Sequence, residues 1–267
     1  MTQTELSQFH YQTCGNPQNP PVLFLHGFLG SGNDWNEVTQ FLSSRYYCLT
    51  VDLPGHGETV MAESVHYSFE KIALALIEFI KQLDFKKCSL VGYSMGGRLT
   101  LFLTLRYPQF FSKTVLESAS PGLRTQKERE QRILQDAEIS TELESGNFKS
   151  FLKEWYSQPI FEGLAARKNF DGLITSRLQN NPKILAQLLR FLGTGIQPSL
   201  WEELGQNKIP ILLLVGENDI KFQSIAQEMT KANRFVQTKT VEGCSHNIHF
   251  RRPEQFARYI IEFFTEN

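Results

Sequence analysis

Gly92-Tyr93-Ser94-Met95-Gly96-Gly97-Arg98 is a segment of the chain that lies between a short apolar run at 88–91 and a helical pattern at 99–107. A serine between two glycines, at the turn from a strand to a helix, is typical of a nucleophile elbow. Side chains at Gly92 and Gly96 would collide with neighbouring backbone in so sharp a turn. The Ser94 hydroxyl would stand at the positive end of the helix. The bare pattern also arises by chance, but its setting favours Ser94 as a nucleophile.

The composition is that of an ordinary soluble globular protein. Its 267 residues are 41% hydrophobic and 21% charged, which suits one α/β domain with an insertion. The net charge of −1 points neither to nucleic acid nor to an anionic membrane. We find no run near the ~18 apolar residues of a membrane span, and residues 1–10 lack the apolar core of a secretion signal. The oligomeric state is left open.

The four cysteines give no sign of a metal site. They are far apart in the sequence and lack metal-ligand spacing, at Cys14, Cys48, Cys88 and Cys244. Without a secretion signal they are best interpreted as reduced thiols of a cytoplasmic protein. We predict that no metal is bound.

Apolar runs alternate with helical patterns along most of the chain. This alternation predicts an α/β fold with a mostly parallel sheet and helices on both faces. The predicted strands are 22–25, 46–51, 88–91, 114–116, 209–215 and 235–241. The predicted helices include one with Trp35, Val38, Phe41 and Leu42, one at 70–84, and one that starts near Pro253.

No convincing strand pattern occurs between residues 121 and 200. Thr125 with Glu128 forms a capping box that predicts a helix start. Apolar residues at helical spacing follow over 148–155, and a further helix is predicted between Asn181 and Gly193. We therefore predict a helical lid at 121–200, inserted into an α/β core formed by 1–120 and 201–267.

The partners of Ser94 follow from the order in which this fold class supplies them. A serine hydroxyl is a weak nucleophile until an imidazole takes its proton. Acid and histidine then come in that order from loops after later strands. Asp219 follows the strand at 209–215, and His246 follows the strand at 235–241. Glu217 remains a rival acid and His249 a rival base, and Asp219 could instead cap a helix.

Other histidines and Cys244 are weaker candidates. His10 and His66 lie outside strand-end loops. His26 and His56 follow strands but precede the serine, which favours a role in shaping turns. Cys244 has no elbow.

The segment 26–28 follows the strand that usually supplies half of an oxyanion hole. We therefore expect the backbone N–H groups of Phe28 and Met95 to face the reacting oxygen. The alternative is a glycine turn with no catalytic duty.

Arg98 opposes the dipole of its own helix, which is unfavourable by a few tenths to ~1 kcal/mol. Either a carboxylate side chain or a carboxylate of the substrate would compensate its charge. We favour the substrate, because guanidinium binds carboxylate through two parallel hydrogen bonds. The predicted lid adds Arg124, Arg129, Arg132, Arg167 and Arg177. Glu128 and Arg132 could equally be an i, i+4 pair on a solvated face.

These features resemble the α/β-hydrolase family and, more narrowly, the 2-succinyl-6-hydroxy-2,4-cyclohexadiene-1-carboxylate synthases of menaquinone and phylloquinone biosynthesis. The resemblance spans nearly the whole chain. Its specific motifs are at 92–98, 117–123, Trp155-Tyr156 with Gln158-Pro159, 216–222 and 246–249.

The resemblance implies a carbon–oxygen lyase that expels pyruvate from 2-succinyl-5-enolpyruvyl-6-hydroxy-3-cyclohexene-1-carboxylate, a small anion with three carboxylates. The family uses its triad as a base and needs no cofactor. Matching its motifs assigns substrate binding to Tyr93, Arg98, Arg132, Trp155 and Arg177. Trp155 and Tyr156 could equally belong to the core of the lid. A serine hydrolase of a small anionic ester or carbon–carbon bond is the alternative, and a catalytically silent ligand-binding relative is a third possibility.

Overall fold

The computed structural model describes residues 9–59, 67–167 and 169–266. The strands are β1 (Tyr11–Cys14), β2 (Pro21–Leu25), β3 (Tyr47–Val51), β4 (Cys88–Tyr93), β5 (Phe111–Glu117), β6 (Ile211–Gly216) and β7 (Val236–Val241). They form one sheet in the order β1-β3-β2-β4-β5-β6-β7. Only β1 pairs antiparallel, with β3, and the remaining pairs are parallel. The predicted mostly parallel sheet is confirmed. The sequence missed β1, a four-residue edge strand without a buried residue.

Helices cover both faces of the sheet and fill the segment between β5 and β6. Their bounds are α1 (Asn36–Leu42), α2 (Phe69–Gln82), α3 (Ser94–Arg106), α4 (Gln126–Ser145), α5 (Phe148–Ser157), α6 (Phe170–Arg177), α7 (Pro182–Leu192), α8 (Trp201–Gly205), α9 (Ile220–Ala232), α10 (Ile248–Arg251) and α11 (Pro253–Thr265). Short 3-10 turns lie at Gly32–Trp35, Pro108–Phe110 and Pro159–Phe161.

Alternate residues of the strands feed two separate cores. In β2, Leu23 and Leu25 pack on the face covered by α2, α3 and α9, whereas Val22 and Phe24 pack on the face of α1 and α11. Because successive side chains of a strand point to opposite faces, a strand buried on both sides reads as a continuous apolar run. This explains why the sequence pattern of the central strands was easy to recognise. Phe41, predicted within α1, is exposed there.

The segment between β5 and β6 holds α4 to α8, and α4 packs against α7. The predicted helix starts are confirmed at two caps. The Thr125 hydroxyl accepts a hydrogen bond from the Glu128 N–H, and the Asn181 side chain accepts from the N–H groups of Lys183 and Ile184. The division of the chain at residues 120 and 200 into a core and a lid stays a prediction.

Within the described ranges, no helix has both the length and the apolar character needed to cross a membrane. In that same part of the chain, no group of three or more His, Cys, Asp or Glu side chains is arranged to hold a metal ion. All four cysteines are free thiols.

Candidate active site

Ser94 stands on a strained turn between β4 and α3. Its φ of 49° lies in the left-handed region, which a non-glycine residue adopts at an energetic cost. A Cβ on Gly92 would collide with the Thr100 hydroxyl, and a Cβ on Gly96 would collide with the carbonyl oxygens of Leu25 and His26. The glycines therefore permit the close approach of backbone that an elbow requires.

Three parallel strands bring Ser94, His246 and Asp219 together. They follow β4, β7 and β6, at the carboxyl end of the sheet. Ser94 Oγ lies 3.1 Å from His246 Nε2, and His246 Nδ1 lies 2.8 Å from Asp219 Oδ2. The histidine is 3% exposed and the aspartate 4%. This connected arrangement lets the imidazole take the hydroxyl proton while the carboxylate orients the ring.

Two further groups hold this arrangement in place. The Ser118 hydroxyl, one residue after β5, donates to Asp219 Oδ2 over 3.0 Å. The His246 N–H donates to the carbonyl oxygen of Ile160, so the helical segment anchors the histidine loop directly. Sequence reasoning missed both groups. The contact of Ser118 could have been predicted, because this serine follows the strand that pairs with β6. The contact of Ile160 uses its backbone carbonyl, and a backbone group leaves no mark in the sequence.

The rival acid and base have other partners. The Glu217 carboxylate accepts from the Gly243 N–H over 2.9 Å. His249 is fully buried, with its Nδ1 2.6 Å from the Glu117 carboxylate. Burial raises the pKa of the Cys244 thiol, which keeps it protonated.

The other described histidines have partners other than Ser94. His10 pairs with Asp52, 2.7 Å apart. Both His26 and His56 accept backbone N–H bonds through Nε2, from Leu53 and Leu29 respectively. His66 lies outside the described residues.

A cavity of about 1150 Å³ opens above Ser94. Its lining includes, of the residues singled out from the sequence, Phe28, Ser94, Met95, Arg98, Arg124, Arg132, Trp155 and His246. The Trp155 ring packs against Phe28, with ring centroids 5.6 Å apart. The two residues predicted to supply the oxyanion hole therefore face the same space as the nucleophile.

Arg98 enters this cavity without a carboxylate partner. Its Nη1 donates to the Leu192 carbonyl over 3.0 Å and to Gln197 Oε1 over 3.3 Å. No carboxylate of the described residues comes within 4.0 Å of its guanidinium. Burial, and then the positive charge of Arg132, lower the pKa of Arg98 to about 10. These neutral acceptors satisfy hydrogen bonds of the Arg98 guanidinium but do not neutralise its charge, so an anionic ligand could do so.

Arg132 is held at the cavity wall by Asp136. Its Nε donates to Asp136 Oδ1 over 2.8 Å, and the aspartate is 4% exposed. The possible pair between Glu128 and Arg132 does not form, because the Glu128 carboxylate accepts from the N–H and hydroxyl of Thr125.

Arg177 and Tyr93 lie outside the cavity lining that the described residues form. Arg177 is 2% exposed and binds both oxygens of Asp34 over 2.8 Å, while its Nε donates to the Tyr156 hydroxyl. The predicted role of Arg177 in substrate binding disagrees with this placement, because the guanidinium is already committed to a carboxylate. Tyr93 is buried, and its hydroxyl accepts from Asn247 over 2.6 Å. The Tyr93 ring supports His246 from the side, with ring centroids 5.3 Å apart.

Two other arginines of the helical segment, Arg124 and Arg167, bind carboxylates near the surface. Arg124 stacks on Trp201 and pairs with Glu228 over 2.9 Å. Arg167 lies 3.4 Å from Glu37. Exposed pairs of this kind add little to stability.

The site thus combines a serine that an imidazole can deprotonate with one arginine, Arg98, that has no carboxylate partner among the described residues, and with a second, Arg132, that is paired to Asp136. Such an arrangement can remove a proton from, or attack, a substrate that carries carboxylates.

Comparison with known proteins agrees with this chemistry. Residues 22–259 match the model of the alpha/beta hydrolase family. A protein of Bacillus subtilis is 36% identical, over 91% of this chain and 90% of its own. The 2-succinyl-6-hydroxy-2,4-cyclohexadiene-1-carboxylate synthase of Serratia proteamaculans is 30% identical, over 93% of this chain and 94% of its own. The solved structure of MenH from S. aureus has a TM-score of 0.91 at 30% identity, and covers 96% of this chain and 97% of its own.

Proposed function

The chain belongs to the α/β-hydrolase family and, within it, to the 2-succinyl-6-hydroxy-2,4-cyclohexadiene-1-carboxylate synthases, and on this premise we propose that it is a pyruvate-eliminating lyase. Its substrate would be 2-succinyl-5-enolpyruvyl-6-hydroxy-3-cyclohexene-1-carboxylate. The observation that carries the proposal is the unpaired guanidinium of Arg98 in the same cavity as the Ser94–His246 hydrogen bond.

In the proposed reaction Ser94 acts as a base. His246 accepts the hydroxyl proton, held in orientation by Asp219, and the serine oxygen removes the ring proton next to the succinyl ketone. The electrons of that C–H bond form a new ring double bond, the existing double bond shifts, and the carbon–oxygen bond to the enolpyruvyl group breaks. The leaving enolpyruvate takes up a proton and becomes pyruvate. The conjugated diene remains on the ring.

Negative charge develops on the ketone oxygen during proton removal. The N–H groups of Phe28 and Met95 are proposed to stabilise it, which is the task of an oxyanion hole. The lining of the cavity by both residues supports this role. No cofactor is needed, because the ketone itself holds the developing charge.

The carboxylates of the substrate are proposed to bind the cations of the cavity, with Arg98 and Arg132 as the main partners. Trp155 would pack against the ring of the substrate. A cytoplasmic location is also part of the proposal, supported by four free thiols that suit a reducing compartment.

The test is product analysis with the enolpyruvyl substrate. We expect free pyruvate and the conjugated diene in equal amounts. Ser94→Ala should lower kcat by roughly 10³-fold or more without loss of fold, as expected for a triad residue. Ser120→Ala, which changes a second serine of the cavity lining, is the matched control and should keep near wild-type turnover.

Two results would redirect the assignment. Efficient turnover of small anionic esters without pyruvate release would favour a hydrolase, since the same triad supports acyl transfer. Unchanged activity in Ser94→Ala would remove the serine from the reaction altogether.

A further inference from the structure

Lys221 is a cation of the cavity whose position the triad does not explain. It is the second residue of α9, two residues after Asp219, and it lines the same cavity as Ser94. Its side chain is exposed, as a group that meets a ligand must be. Among the described carboxylates none lies within 4.0 Å of its ammonium group.

Lys221 and Arg98 share an unfavourable arrangement. Each is a basic residue near the amino end of a helix, where the positive end of the dipole repels it. Each lines the cavity that contains Ser94. Two basic residues at the amino ends of two helices, both lining one cavity, indicate that a bound anion compensates the charge of both.

Arg132 stands close enough to act on both. Its positive charge lowers the pKa of Arg98 and also that of Lys221, in each case after the larger effect of burial. Asp219 attracts Lys221 in return. That carboxylate, however, is already hydrogen-bonded to His246 and Ser118.

The acidic residues of the cavity wall leave this charge largely uncompensated. Glu228 pairs with Arg124, and Glu128 caps its own helix. Glu138 is exposed on α4 and forms no ion pair within 4.0 Å among the described residues. Arg98, Arg132 and Lys221 thus present three cations, and only Arg132 has a carboxylate partner.

We propose that Lys221 binds one carboxylate of the substrate, beside Arg98 and Arg132. This inference rests on the proposed function and refines how its polyanionic substrate is held. An ammonium group is a compact charge with three donors, and so accepts a carboxylate from several directions. In this proposal Lys221 has the carboxylate-binding role that the sequence resemblance assigned to Arg177. The charge of Arg177 is already neutralised by Asp34.

The first test separates substrate binding from chemistry. Lys221→Gln should raise KM for the enolpyruvyl substrate about tenfold or more, as loss of a charge contact does, with a much smaller change in kcat. Lys221→Arg should recover most of the loss, because it restores the charge. Lys231→Gln, on the exposed last turn of the same helix, is the matched control and should behave as wild type. An unchanged KM in Lys221→Gln overturns the proposal.

The second test does not depend on turnover. Propane-1,2,3-tricarboxylate serves as an unreactive probe, with its affinity measured by calorimetry at low ionic strength. Lys221→Gln should weaken its binding about tenfold or more. Glu138→Gln, which removes a negative charge from the rim, should not weaken it.

The two proposals fail in different ways. A wild-type protein that binds the probe through Lys221 but releases no pyruvate would overturn the lyase and keep the anion site. A protein that releases pyruvate, while Lys221→Gln keeps wild-type KM and probe affinity, would overturn the role of Lys221 alone. A wild-type protein that neither releases pyruvate nor binds the probe would overturn both.

Discussion

Arg98 and Arg177 lie in two regions of the molecule that differ in how the charge of the arginine is compensated. Arg177 lies outside the cavity lining, bound to both oxygens of Asp34 and to the Tyr156 hydroxyl. Burial is the largest single influence on this guanidinium and would lower its pKa, but the charges and hydrogen bonds of Asp34 and Tyr156 together outweigh burial, and the pKa is raised. Arg98 reaches the cavity above Ser94 with only neutral oxygen acceptors, and its pKa is lowered to about 10.

The difference separates a cation that is paired within the fold from a cation that we propose binds a ligand. A buried ion pair with all its hydrogen bonds is strongly destabilising to break, because one charge is left alone in the protein interior. A charge that the protein leaves without its counter-ion is a candidate for function. The residue type is the same in both regions, so only the partners distinguish the two roles.

Removal of Arg177 should give the largest effect, and the effect should fall on stability. Arg177→Met leaves Asp34 buried and unpaired, so we expect the free energy of unfolding to drop by about 3–5 kcal/mol. Urea unfolding followed by circular dichroism measures this drop. At a temperature where the variant is folded, KM should stay near the wild-type value.

The double variant Asp34→Asn with Arg177→Met is the control, because it removes both charges. It should recover a large part of the lost stability. A stable Arg177→Met protein with a raised KM would instead support the substrate-binding role that the sequence resemblance assigned to Arg177.

Removal of Arg98 should have the reverse effect, with a large loss of activity and a small change in stability. Arg98→Gln should lower kcat/KM by an amount equivalent to about 2–5 kcal/mol of lost transition-state stabilisation, which is expected when an ion pair in a desolvated site is lost. Its stability should change by no more than about 1 kcal/mol, since the side chain loses only hydrogen bonds to neutral acceptors. Steady-state kinetics and urea unfolding on the same preparation compare the two effects. Wild-type kcat/KM in a folded Arg98→Gln protein would contradict the assignment.

Acid should produce the most gradual effect, and it acts on two buried histidines near Arg177. Burial chiefly, and the charge of Arg177 in part, lower the pKa values of His26 and His56 below 6.5. Below pH 6.5 the unfolded chain therefore binds protons that the folded chain does not. The free energy of unfolding should then fall with pH, by up to about 1.4 kcal/mol per pH unit for each histidine.

Urea unfolding at pH 7 and pH 5 checks this sign. His56→Gln, which removes one titrating ring, should lose less stability over this interval than wild type. In Arg177→Met the acid loss should also shrink, because one cause of the lowered pKa values is gone. An equal slope in wild type and His56→Gln would show that His56 does not titrate as inferred.

The positions of the proposed reacting groups could be predicted from the sequence because local backbone geometry fixes them. The glycines around Ser94, and the positions of Asp219 and His246 after their strands, each follow from a short segment and the rules of parallel sheets. The same holds for helix starts such as Thr125, where the capping residues are close in sequence.

The partners of Arg177 and Asp219 were harder to predict because they are far away in the chain. Asp34 and Arg177 are 143 residues apart, and no local pattern joins them. Ser118 and Asp219 are 101 residues apart, and their hydrogen bond depends on how β5 and β6 pair. Lys221 stands in a segment that the motif reading used only for the acid. Its lack of a carboxylate partner among the described residues depends on the folded structure and cannot be read from the local sequence.

The elbow glycine Gly96 has a consequence for how this catalyst could be altered. Its missing side chain lets α3 rest directly on the carbonyl oxygens of Leu25 and His26, so the spacing between the nucleophile and the Phe28 loop is set by backbone against backbone. Any methyl group there would wedge those two segments apart. A new substrate specificity would therefore have to come from substitutions at other residues that line the cavity, because the spacing between Ser94 and the Phe28 loop cannot change.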